Sequence, residues 1–212
     1  MAQINGTAGK DTLFGTGFAD IIVGLAGNDT AYGGGGQDDL YGSAGNDNLF
    51  GDQGRDIVFG QEGSDRLFGG TDGDLLDGGI GSDFLSGEAG ADRLLGGGDN
   101  DALYGGRGRD TLEGGAGSDL FSYVATAEGG DRIRDFEAGA GGDILNVSGL
   151  LDRLDYVGDD PRDDGFLIFQ QQGGDTAFKV DTNGDARGGD VVTLATLEGV
   201  VARSITDDNI NF

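Results

Sequence analysis

Thirteen aspartates stand nine residues apart: Asp11, Asp20, Asp29, Asp38, Asp47, Asp56, Asp65, Asp74, Asp83, Asp92, Asp101, Asp110 and Asp119. The chain contains no histidine and no cysteine. It therefore lacks the commonest general base, the commonest transition-metal ligand, and any thiolate or disulfide. What remains is a regular set of hard oxygen ligands, whose natural partner is a hard cation. No G-x-S-x-G, HExxH or Cys/His pair is present to suggest a catalytic use for the carboxylates.

The aspartates are position 6 of a nine-residue unit that runs thirteen times from Gly6 to Ser122 without insertion or deletion. Position 1 is always glycine. Position 8 is always apolar: Leu13, Ile22, Ala31, Leu40, Leu49, Val58, Leu67, Leu76, Leu85, Leu94, Leu103, Leu112 and Phe121. Positions 1 to 6, rich in glycine and small polar residues, suit a tight turn with positive φ. Positions 7 to 9, such as TLF, TAY and DLY, suit a very short strand whose position 8 points inward. Two units make an 18-residue right-handed coil, and coils stack at the ~4.8 Å sheet spacing. The expected fold is all-β, a right-handed parallel β-roll over residues 1–122 followed by a C-terminal β-rich cap over 123–212.

One inward apolar residue in nine is too little burial to order the other eight. Stacking also places Asp11, Asp29, Asp47 and their successors in one column and Asp20, Asp38, Asp56 and theirs in the other. Such columns repel unless cations lie between them. Carboxylate and carbonyl oxygens select calcium or, less well, magnesium, whose small octahedron suits flexible turns poorly.

Composition points the same way. The 212 residues include 47 glycines and one proline and carry a formal charge of −26. The thirteen basic residues are scattered, which excludes a nucleic-acid partner. An acidic disordered chain would not keep an apolar residue in phase. No apolar run reaches the ~20 residues of a transmembrane helix, and the N-terminus MAQINGTAGK has no signal-peptide pattern.

The unit matches GGxGxDxUx, and over Gly6 to Ser122 the chain resembles the RTX (repeats-in-toxin) calcium-binding proteins. The resemblance implies that each ion sits between the loops of units n and n+2, held by position-6 aspartates and turn carbonyls. Thirteen loops then allow at most about eleven Ca²⁺, which nearly offset the formal charge of −26. Position 4 departs from glycine at Phe18, Asp72 and Asp99. Phenylalanine tolerates left-handed φ poorly, so the site of the second turn, Gly15 to Asp20, is expected to be weak or empty. Ala31 is expected to leave the core thin. At position 9, Phe14, Tyr32, Phe50 and Phe68 form one outward row, and Val23, Tyr41 and Phe59 the other. These rows read as supporting ladders or as a surface for self-association or a cell-surface polysaccharide.

After Ser122 the period ends. Short strands and loops are expected over Gly129 to Leu150, a brief helix over Leu150 to Tyr156, and a loop over Asp159 to Gly165. A hairpin over Phe166 to Gln170 and Thr176 to Val180 comes next, then a strand over Val191 to Leu197. A solenoid end needs such a cap. The loop Asp181 to Asp190 spaces Asp181, Asn183 and Asp185 like the start of an EF-hand. Ala186 and Val192 stand where that motif has glycine and glutamate, so it reads as a polar hairpin loop. Asp131, Ile133, Asp135, Phe136, Gly142, Asp143 and Leu145, with the ending Asp207 to Phe212, are similar to the C-terminal domain of RTX proteins exported by type I secretion. That resemblance implies contact with the type I machinery, export from a Gram-negative cell and folding on external calcium.

Five residues precede the repeat, and the cap accounts for the residues after it, so a non-enzymatic secreted calcium-binding protein with a structural, adhesive or surface-layer role is expected. The alternatives are the repeat-and-secretion domain of a larger enzyme, and a polysaccharide lyase or epimerase. Position 2 abandons threonine after Thr7 and Thr16, which sets ice binding aside.

Overall fold

The protein is seen in a computed structural model that describes residues 1–182 and 190–212. Two parallel sheets face each other along a solenoid, and successive strands within each sheet are one 18-residue coil apart. One sheet begins with Gln3–Asn5, Ile21–Ala26, Asp39–Ala44 and Ile57–Glu62. The other begins with Thr12–Phe14, Thr30–Tyr32, Asn48–Gln53 and Arg66–Thr71. The register is in phase, with Ile4 beside Ile22, Ile22 beside Leu40, Leu13 beside Ala31 and Leu49 beside Leu67.

The inward row is the one alternation requires. All thirteen position-8 residues are buried, Ala31 among them, and they line a single hydrophobic core. Outside, the rings of Phe14, Tyr32, Phe50 and Phe68 stack 4.8 to 5.2 Å apart with planes within 9° of parallel. Tyr41 and Phe59 stack at 5.4 Å on the other sheet. Ring faces inside the row are thus occupied by neighbouring rings, while Phe14, with one stacked neighbour at the row's end, is 64% exposed. Beyond Phe68 the row turns into a tilted contact with Phe84, with the Arg66 guanidinium 4.9 Å from the Phe84 ring centre.

The sheets run on past Ser122. Asp131–Ile133 and Val191–Leu197 extend one sheet, while Ile144–Asn146 and Ile210–Asn211 extend the other. The inward rows continue as Leu112, Ile133, Leu197 and as Phe121, Leu145, Ile210. The hairpin Leu167–Gln172 and Asp175–Asp181 then adds antiparallel strands against Val191–Leu197, ending the parallel stack at that end. The brief helix is Ser148–Arg153, two residues earlier than expected, because the Asn146 side chain accepts bonds from the Ser148 hydroxyl (2.9 Å) and amide (3.3 Å). Asn183, Asp185 and Ala186 of the EF-hand-like loop lie outside the described residues. Among the described residues no helix is long and apolar enough to cross a membrane.

Gly45 shows why the turns need glycine. Its φ is +132°, and an added Cβ would run into the Gly27 carbonyl of the coil below. Gly17 has open space around it. Gly45→Ala is expected to destabilise the calcium-loaded protein by at least about 2 kcal/mol, and Gly17→Ala by less than about 0.5 kcal/mol. Thermal melts of the two variants check this.

Candidate metal centre

Twelve of the thirteen repeat aspartates, Asp20 to Asp119, are at most 4% exposed; Asp11, on the first coil, is partly exposed. Each turn aims its carboxylate at the coil before it. Oδ1 of Asp29 accepts the amide N–H of Asp11, Oδ1 of Asp38 that of Asp20, and the pattern repeats to Asp119 and Asp101, all at 2.7 to 2.9 Å. These bonds tie every coil to the next through a side chain.

The second oxygen is the unusual one. In Asp29, Asp38, Asp47, Asp56, Asp65, Asp74, Asp83, Asp92, Asp101, Asp110 and Asp119, Oδ2 is buried with no hydrogen-bond partner. Such a group costs about 1 to 3 kcal/mol, more when charged, and it recurs eleven times. Carbonyl oxygens converge on the same places. A methyl built on Gly33 would lie 2.7 Å from Asp38 Oδ2 and 2.6 Å from the Gly51 carbonyl oxygen. Gly24 stands likewise toward Asp29 Oδ2 (2.6 Å) and the Gly42 carbonyl (2.7 Å). Acceptors from two successive coils share a pocket with no donor, kept open because position 1 has no side chain.

Burial drives the carboxyls' protonation equilibria. It pushes Asp56 and Asp83 up to about 6 and Asp65, Asp74, Asp92 and Asp101 up to about 7. The amide bond from the preceding coil opposes that rise, and neighbouring carboxylates add to it. Asp20 is shifted the other way, by bonds from the Ala2 amide and Thr16.

The residues fit calcium. The donors are all oxygen, the orphaned atoms are anionic, and no cluster of three acidic side chains exists among the described residues, so turn carbonyls must complete the ligand set. The structure brings Asp29 to Asp119 into two such columns. It places Asp11 and Asp20 differently: Thr7 and Thr16 donate to their Oδ2 atoms, and neither Thr16 nor Phe18 takes the left-handed φ expected to strain that turn.

Two further aspartates join the columns out of phase. Asp131 Oδ1 accepts the Asp110 amide and Asp143 Oδ1 the Asp119 amide, both at 2.9 Å, across offsets of 21 and 24 residues. Asp131 Oδ2 is unpartnered, whereas Asp143 Oδ2 accepts the Glu137 amide at 2.8 Å. Burial pushes Asp131 up to about 8 and Asp143 up to about 6. The signal for both was a surviving Gly-Gly-Asp-x-apolar run, Gly129 to Ile133 and Gly141 to Leu145.

A family model for the RTX calcium-binding nonapeptide repeat matches overlapping segments that together span residues 5–122. The chain belongs to the RTX calcium-binding repeat family. This RTX chain matched no curated protein. Among solved structures it is similar to the solution structure of the AlgE6R3 subunit from the Azotobacter vinelandii mannuronan C5-epimerase. The identity is 33%, over 67% of this chain and 78% of that chain, with a TM-score of 0.49.

Carboxyls raised from 3.8 toward about 7 favour the metal-free roll when protonated. That contribution is complete below about 4 and is lost as pH rises through about 7. In chelator, β-structure is therefore expected to increase between pH 8 and pH 5. With calcium the sign reverses, because protons compete for the same oxygens, and the calcium midpoint rises as pH falls. Circular dichroism at both pH values, with and without calcium, checks both signs.

Proposed function

We propose that this RTX chain is a calcium-triggered extracellular structural module, exported unfolded by a type I route and ordered when it meets millimolar calcium outside the cell. The observation that carries the reading is the set of eleven buried, unpartnered Asp Oδ2 atoms. A fold that leaves so many anionic oxygens without a donor requires a cation at each pocket. Bound calcium supplies positive charge and coordination to those oxygens. The chain's own part is to hold one carboxylate oxygen on the neighbouring amide, turn the other into the pocket and exclude side chains with glycine. Because the unfolded chain has no preformed site, binding energy becomes folding energy.

Export is supported by the resemblance of the Asp131 to Leu145 region and the ending Asp207 to Phe212 to type I substrates. Several of those residues also have folding work: Asp135 accepts the Gly114 and Gly115 amides (3.0 and 2.8 Å), Phe136 is buried, and Asn209 donates to the Asp143 carbonyl at 2.8 Å. The region thus terminates the roll as well.

In excess EGTA at pH 8 the chain is expected to lack β-structure, to gain it cooperatively as calcium reaches the millimolar range, and to gain much less with magnesium. Far-UV circular dichroism across the titration tests this. A full β-signal in EGTA at that pH would remove the reading.

A further inference from the structure

From the third turn onward, position 2 is left-handed whatever its side chain: Leu25 at φ 80°, Ser43 at 81°, Asp52 at 72°, Gln61 at 79°, Glu88 at 67°, and glycine in the remaining units. The first two turns differ. Their position 2 is threonine, the only two units in which it is, and neither Thr7 nor Thr16 has positive φ. A β-branched residue strongly disfavours that region.

With the turn folded the other way, threonine supplies the donors that the later turns lack. The Thr7 amide (2.6 Å) and hydroxyl (2.8 Å) both reach Asp11 Oδ2. The Thr16 amide (2.8 Å) and hydroxyl (2.7 Å) both reach Asp20 Oδ2. The same hydroxyls accept the amides of Gly9 (3.3 Å) and Phe18 (3.2 Å), which fixes the turn. Asp20 is completed by the Ala2 amide on Oδ1. Asp11 and Asp20 are the repeat aspartates absent from the unpartnered set, although Asp20 is 1% exposed.

On the reading that the later turns hold calcium, we infer that the first two turns are metal-free by construction, with Thr7 and Thr16 taking the place of the ion at the open end of each column. The first turn differs from the later ones in its donors and not in its neighbours: a methyl on Gly6 would lie 2.9 Å from Asp11 Oδ2 and closer still to the Gly24 carbonyl oxygen, as at Gly24 and Gly33, but here Oδ2 already accepts two bonds from Thr7. An oxygen so satisfied has no unmet demand for a cation. Asp143, whose Oδ2 accepts the Glu137 amide, closes a column with protein donors at the other end.

The test counts calcium per chain by equilibrium dialysis and atomic emission at saturating calcium for the full-length protein and three double variants. Asp11→Asn with Asp20→Asn is expected to bind as many ions as the parent. Asp56→Asn with Asp65→Asn is expected to bind fewer, with a raised midpoint. Thr7→Gly with Thr16→Gly frees both carboxylates and permits the left-handed turn, and is expected to bind two more. A lower count in the first pair, or an unchanged count in the glycine pair, would overturn the assignment. Zero calcium on the parent would remove the function proposed above, a result distinct from either.

Discussion

The structure depends on one asymmetric carboxylate. From Asp29 to Asp119, each repeat aspartate gives one oxygen to the amide of the coil before it and leaves the other without a donor, beside carbonyl oxygens of the next coil at turns such as those of Asp29 and Asp38. The first oxygen sets the stacking of coils, and the second opposes that stacking while the carboxylate is ionised and no cation is beside it. A narrow core of one side chain per unit is sufficient only if that electrostatic demand is met from outside the chain. In the function proposed here, fold and ligand are a single equilibrium.

The glycines obey the same constraint. A Cβ at position 1, as at Gly24 or Gly33, would fill the space that Oδ2 and the next coil's carbonyl share, and a Cβ on a position-4 glycine from Gly27 onward, such as Gly45 or Gly54, would strike the coil below. Position 2 is freer in chemistry but not in backbone, which is why Leu25, Ser43, Asp52, Gln61 and Glu88 all accept left-handed φ. Their strain, of order 1 kcal/mol each, is the cost of aiming the turn at the pocket. At three of the four column ends the pocket is replaced by ordinary donors, Thr7, Thr16 and the Glu137 amide, whereas Asp131 ends its column with Oδ2 still unpartnered.

Much of this was legible in the sequence, because a strict nine-residue period converts position directly into place. The inward row, the two acidic columns and the outward aromatic rows are consequences of phase alone. Legibility failed where phase failed. Asp131 and Asp143 occupy the same structural role as the repeat aspartates, but offsets of 21 and 24 residues hide them from a fixed-spacing reading. The sequence marks the second turn through Phe18, whereas the residue that decides its conformation is Thr16, by hydrogen bonds that no periodicity encodes. Ring stacking likewise emerges only in three dimensions. The rows face outward, as alternation requires, yet Phe14, Tyr32, Phe50 and Phe68 spend their faces on one another.

The central claim is that divalent metal occupies the pockets beside the eleven unpartnered oxygens. Long-wavelength anomalous diffraction from crystals grown in calcium measures this directly. The account predicts an anomalous peak beside Oδ2 of the turns from Asp29 onward, and none beside Asp11 or Asp20. An intact roll whose interior turns show no such peaks would contradict it.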